Sequence, residues 1–151
     1  MFANRVLALL AAVWFGAYLL AGYGVAPLLF QSLPKEQAGN LAGALFSAVN
    51  YIGLFVWAIL YLAGLSAQQR SYGQRSKLSS RIVALTWLLL AVSQFALVPL
   101  IRALRGGQTY WLSNLLGGEL SFWHSMSSSL YVLVSLLGLF LIMRLLRFEW
   151  Q

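Results

Sequence analysis

Residues 120–143 read LSFWHSMSSSLYVLVSLLGLFLIM. No Asp, Glu, Lys or Arg interrupts this stretch. An α-helix rises ~1.5 Å per residue, so ~20 apolar residues cross a hydrocarbon core ~30 Å thick. Three more windows are equally free of charge: Val6 to Pro34, Gln37 to Gln69 and Ile82 to Ile101. In lipid every backbone polar group needs an internal partner, which makes each window a helix. The expected fold is all-α, an integral-membrane, antiparallel bundle of four transmembrane helices. It forms a single domain over 1–151, with spans at about 6–30, 38–65, 82–104 and 120–146.

Composition agrees. Hydrophobic residues make up 61% and charged residues 9%, whereas a soluble domain carries roughly 25% charged residues. The first window far exceeds the ~7–15 residue apolar core of a signal peptide, so it reads as a retained span. The chain has no cysteine, which excludes disulfides, thiolate metal ligands and a Cys nucleophile. It also lacks Asp, and its acids are Glu36, Glu119 and Glu149.

The net charge of +7 reflects membrane topology rather than nucleic-acid binding. Seven of the ten basic residues fall on one side of a four-span chain: Arg5, Arg70, Arg75, Lys77, Arg81, Arg144 and Arg147. Lys35, Arg102 and Arg105 fall on the other. The positive-inside rule then puts both termini in the cytoplasm, as expected for a bacterial inner-membrane protein. Arg70, Arg75, Lys77 and Arg81 can attract anionic lipid at ~1 kcal/mol each.

The connections carry smaller signals. Pro34 and Glu36 suit the start of the second helix. Ser66 to Arg81 reads as a polar, basic connection. Residues 106–118, GGQTYWLSNLLGG, read either as a loop or as a short interfacial helix with Trp111, Leu112, Leu115 and Leu116 on one face. Val25-Ala26-Pro27-Leu28-Leu29 and Leu97-Val98-Pro99-Leu100-Ile101 end the two odd-numbered spans alike. Either chance or a duplicated hairpin accounts for that.

Several short motifs resemble a known family. Trp14-Phe15-Gly16 is similar to its W-x-G, and Ala26-Pro27-Leu28-Leu29-Phe30 to its A-P-x-x-F. Ala38-Gly39 with Gly43-Ala44-Leu45-Phe46 is similar to its A-G-x-x-x-G-x-x-F. Pro99, Ile101, Leu104 and Arg105 match a P-x-I-x-x-L-R pattern, and His124 to Ser127 an H-x-x-S. The chain thus resembles the transmembrane protein 205-like family, domain of unknown function 4149. That resemblance implies a four-helix membrane protein and brings no established reaction or substrate.

Polar groups are expensive inside a membrane and mark the candidate site. On the fourth helix His124, Ser128, Tyr131 and Ser135 share one stripe at 100° per residue. Asn50 and Tyr51 on the second helix, Gln94 on the third and Tyr23 on the first lie at comparable depth. Asn50, Gln94, His124, Ser128 and Tyr131 are therefore expected to line a polar pocket opening outward, bounded by Arg102, Arg105 and Glu119. The plainer alternative is a set of interhelical hydrogen bonds without a ligand. Arg102 and Arg105 read as a clamp for an anionic lipid headgroup, as partners of Glu119, or simply as interfacial anchors. Gly39, Gly43 and Ser47, and Ala8, Ala12 and Gly16, form small-residue stripes for helix packing within the bundle or between copies in a homo-oligomer.

His124 is the single histidine, and no paired acid stands beside it, so enzymatic chemistry is not expected. No metal site is evident. Three readings remain: a non-enzymatic protein that binds or moves a small solute or lipid, a structural or assembly subunit without ligand, and a protein holding haem or metal at His124.

Overall fold

Four helices long and apolar enough to cross a membrane run over Val6–Ser32, Lys35–Ala63, Ser80–Arg105 and Leu120–Arg144. They are seen in a computed structural model, which describes the backbone of residues 2–70 and 75–147 and the side chains of residues 6–63 and 80–144. The described chain contains no strand.

The first span consists of α1 (Phe2–Leu19), a π-helical turn (Leu20–Val25) and α2 (Ala26–Ser32). The second is α3 (Lys35–Arg70). The third repeats the pattern of the first: α4 (Arg75–Val92), a π turn (Ser93–Leu97) and α5 (Val98–Arg105). A short helix, α6 (Trp111–Leu116), precedes α7 (Leu120–Arg147), the fourth span. The polar connection expected from Ser66 to Arg81 is shorter than its composition suggests. α3 continues to Arg70 and α4 begins at Arg75, because Gln, Lys and Arg are good helix formers. The side chains of Arg70, Arg75 and Lys77 lie outside the described residues.

The two π turns share one cause. Pro27 and Pro99 follow them directly, each at the second position of the next helix. Proline has no N–H, and its ring crowds the carbonyl one turn back. Widening the preceding turn relieves the crowding and shifts the hydrogen bonds to i−5. Accordingly the Ala26 N–H donates to the Ala21 carbonyl, and the Val98 N–H to that of Ser93. The shared backbone geometry at the ends of the two odd spans is thus explained by proline stereochemistry.

Successive spans run antiparallel and close into a ring. The first and third each pack on the second and fourth, and the diagonal pairs barely touch. The main core joins Trp14, Phe15 and Tyr18 of the first span to Val49, Val56 and Trp57 of the second, with Leu90 and Val134 from the others. The Trp14 indole donates to the Val49 carbonyl at 2.9 Å. It fits because Gly53 has no Cβ, and one placed there would stand 2.6 Å from the ring. A smaller cluster, Leu97, Leu100 and Trp123, lies toward the end of the bundle that carries Pro34 and the connection over residues 106–119. α6 packs Leu112 on that cluster and leaves Trp111, Leu115 and Leu116 exposed, 62 to 73%. Of the two sequence readings of this connection, the helix is the one observed.

Candidate functional site

At the Pro34 end, beside the small core cluster, the four spans enclose a cavity of about 380 Å³. Its wall on the second span is Gly39 and Ala42 together with one helical stripe, Asn40, Gly43, Phe46 and Asn50. Asn40 to Asn50 covers ~15 Å of helix at 1.5 Å per residue, so the cavity reaches deep into the span. Below Asn50, Trp14, Tyr18 and Trp57 fill the bundle and are almost wholly buried.

The floor is polar and mutually bonded. The Asn50 side-chain amide donates to Ser93 Oγ at 3.3 Å and to Gln94 Oε1 at 3.4 Å. Both partners sit on the π turn of the third span. Asn50 faces the cavity, whereas Gln94 lies behind it, 6% exposed, and does not line the wall. The expectation that Gln94 lines the pocket is corrected to a supporting position. The second-span amide occupies the inner face, and Gln94 is consumed in orienting it.

The fourth span contributes His124, Ser127, Ser128, Tyr131 and Val132. Ser128 Oγ is bonded to the His124 carbonyl and Ser135 Oγ to that of Tyr131, one turn back in each case. Ser125 and Ser129 do the same with Ser121 and Ser125. This back-bonding is how serine resides cheaply in an apolar helix, and it keeps those hydroxyls from donating elsewhere. Ser135 is buried and lies outside the lining.

Tyr131 is held most tightly. Its ring stacks on Tyr18 at 4.2 Å and meets Phe46 edge-on at 5.4 Å. Its hydroxyl donates to the Tyr18 carbonyl, just before the π turn where the helical bonding changes register. The ring lies against Gly22, where any Cβ would collide with it. Tyr23, from the same π turn, meets the ring at 5.7 Å in a T-shaped contact.

His124 sits at the rim and is exposed. His124 lines the cavity as expected, but at its mouth and not at the depth of the Asn50 and Gln94 amides. It lies only one turn into α7, near the helix end, where the imidazole need not be hidden from lipid. His124 also borders a shallower depression with Lys35, Arg105 and Glu119. Arg102 and Arg105 line the cavity itself. The expected bounding role of Glu119 falls to that adjoining depression.

The small-residue stripes do something other than pack helices. The Gly39 position is occupied from across the cavity by the Arg105 guanidinium, since a Cβ would lie 2.7 Å from Nη1. Gly43 opens onto the cavity, and a Cβ added there would have nothing within 4 Å. Their missing side chains are what leaves room at the mouth. Ser47 continues the stripe, half-buried, with an unpartnered hydroxyl. Gly16 faces outward and also has nothing within 4 Å, so it is not a packing position inside this chain.

Asn40 and Tyr18 escaped the sequence reading. Asn40 was legible, because stepping back from Asn50 by four, three and three residues reaches it on the same face. Tyr18 was not, because only the fold brings its carbonyl to Tyr131.

With this geometry in place, comparison with known proteins adds one finding. A family model described as "Domain of unknown function (DUF4149)" matches residues 9–109. The chain belongs to the DUF4149 family. The match carries no transmembrane protein 205 label, and it ends before the fourth span, so His124 lies beyond it. Of the DUF4149 motif residues read from the sequence, Ala26, Pro27, Phe30, Gly39, Gly43 and Phe46 all line the cavity, as do Arg105 and His124. Trp14, Gly16 and Pro99 do not. No curated protein and no solved structure matches the chain.

Proposed function

We propose that this DUF4149 membrane protein is a non-enzymatic binding or transport component that receives a small solute or lipid in the cavity between its four spans. One observation carries the reading. Polar groups from all four spans, which are costly at membrane depth, face a single space of about 380 Å³ instead of only one another. That volume lies at the small end of the ~300–1,000 Å³ typical of ligand sites. A helix bundle built only for assembly would fill this space, because glycine and alanine in membrane helices normally bring backbones together.

The positive-inside distribution supports a mouth, with Lys35, Arg102 and Arg105, on the outer side, and both termini in the cytoplasm. In a bacterial cell the mouth would face the periplasm. The filled core beneath Asn50 favours binding from one side over a standing channel.

The test is native mass spectrometry of gently purified protein. The wild type should carry a nonprotein adduct, and Gly43→Leu, which fills the cavity, should lose it while keeping its helical content. Identical adducts on both proteins, or none on either, would count against a ligand cavity.

A further inference from the structure

If the cavity holds a ligand, as proposed above, the rim decides its charge. Among the described residues, Arg102 and Arg105 are the only charged side chains lining it. They lie three residues apart at the end of α5 and so share a face. Among the described residues neither side chain has an ion pair or a hydrogen bond. Glu119 stands in the adjoining depression and pairs with neither. Arg105 is half-buried, laid across the bare backbone at Gly39. A partly desolvated guanidinium without a counter-charge is unfavourable. Its planar fork of five donors suits a carboxylate or phosphate, which accepts two parallel hydrogen bonds.

The wall decides the rest. α2 packs on the second span but has little contact with the fourth. Residues on both sides of this seam, Tyr23 and Pro27 on one and Ser128 and Val132 on the other, line the cavity and are also exposed. Tyr131, packed against Gly22 and Tyr23, closes the inner end of the seam. Ser128, just above it, lies eight residues into α7, ~12 Å along the helix. The seam therefore opens sideways above Tyr131, at a depth where the surroundings are acyl chains, not water.

We propose that the cavity binds the oxyanion of a membrane amphiphile, a phosphate or carboxylate held by Arg102 and Arg105, with its apolar chain leaving through the seam between the first and fourth spans. Phe30, Phe46 and Ile101 supply the apolar wall around the first carbons of that chain. The same guanidinium pair would accept a free oxyanion, so the source is separated by experiment.

Binding of oleoyl lysophosphatidate, oleoyl lysophosphatidylcholine and inorganic phosphate is measured on purified protein in a neutral detergent. Lysophosphatidate should bind at least about tenfold tighter than lysophosphatidylcholine, as one charge-assisted contact is worth a decade or more. Arg102→Gln with Arg105→Gln should erase the preference, Arg105→Lys should retain part of it, and Arg144→Gln, at the far end of the fourth span and outside the cavity lining, should leave it intact. Thermal midpoints of each variant establish that it is folded. Inorganic phosphate displacing lysophosphatidate at similar concentration would overturn the lipid source and leave a free anion as ligand. Equal binding of the two lysolipids, indifferent to the Arg substitutions, would overturn the anion while sparing the cavity. If no probe binds, the cavity reading falls as well.

Discussion

Gly39→Ala separates a structural role for this glycine from a binding role, because the two predict changes of opposite sign. Gly39 lies inside α3, where alanine is favoured over glycine by ~0.8–1 kcal/mol. A gain of ~1 kcal/mol corresponds to roughly 2–4 °C in the melting temperature of a protein of this size. The added Cβ would stand 2.7 Å from Arg105 Nη1 and 2.8 Å from Cζ. Comfortable separations are ~3.5–4.0 Å, so the guanidinium has to retreat by ~1 Å. It is the end of a flexible side chain, and that retreat costs little stability. It does cost the anion contact, since a hydrogen bond of ~2.9 Å stretched by that amount is no longer one. Losing a bond to a charged group is worth ~1.5–3 kcal/mol, or about ten- to a hundredfold in affinity. Gly16→Ala is the control. It offers the same gain in helix propensity, has nothing within 4 Å, and lies outside the cavity. Melting temperature and lysophosphatidate affinity are measured together on both variants. Both should melt no lower than the wild type, and only Gly39→Ala should bind weakly. If the two bind alike, Gly39 does not set the position of a ligand-binding guanidinium, and the argument for Arg105 is wrong.

Three further outcomes follow from particular contacts. Gly53→Ala should destabilise by ~1–3 kcal/mol through overpacking against the Trp14 indole, and should turn neutral or stabilising in a Trp14→Leu background; a penalty of equal size in both, measured by denaturant titration in mixed micelles, contradicts the contact. Asn50→Leu should cost ~1–2 kcal/mol by leaving buried Gln94 without its donor, and adding Gln94→Leu should recover most of it; additive losses in the same titration would show the two amides to be independent. Because the chain has no cysteine, a single Cys at position 108 should react with an impermeant maleimide on intact cells and one at position 81 should not; the reverse pattern would invert the proposed orientation.

Much of this protein was legible from residue order because lipid leaves few options. A stretch such as Gln37 to Gln69 cannot expose its peptide groups to acyl chains, so helix is forced regardless of side-chain detail. The π turns before Pro27 and Pro99 were not read from the sequence, which showed only that the two odd spans end alike. Asn50 and Tyr131 were traceable to one cavity because an amide and a phenol are costly facing lipid, and His124 and Ser128 followed because they share the Tyr131 stripe of the fourth helix. The distinction between Asn50, which faces the space, and Gln94, which supports it, was not traceable. Both are amides at similar depth, and only the rotation of the third helix around its π turn separates them. The small-residue stripe at Gly39 and Gly43 misled for a similar reason. Small residues allow close approach of a backbone, yet here they admit a guanidinium and an open space.

Sequence alone settled the class of the molecule, the number of spans and their antiparallel order, since the absence of charge over each span's length is a one-dimensional property that the bilayer reads directly. Tertiary structure alone decided that Arg102 and Arg105 face one cavity and, among the described residues, pair with no acid, and that residues of the first and fourth spans line that cavity side by side. Those facts depend on the rotation and splay of helices about their axes, which are set by where Trp14, Tyr18 and Tyr131 lock the spans together far along the chain from one another.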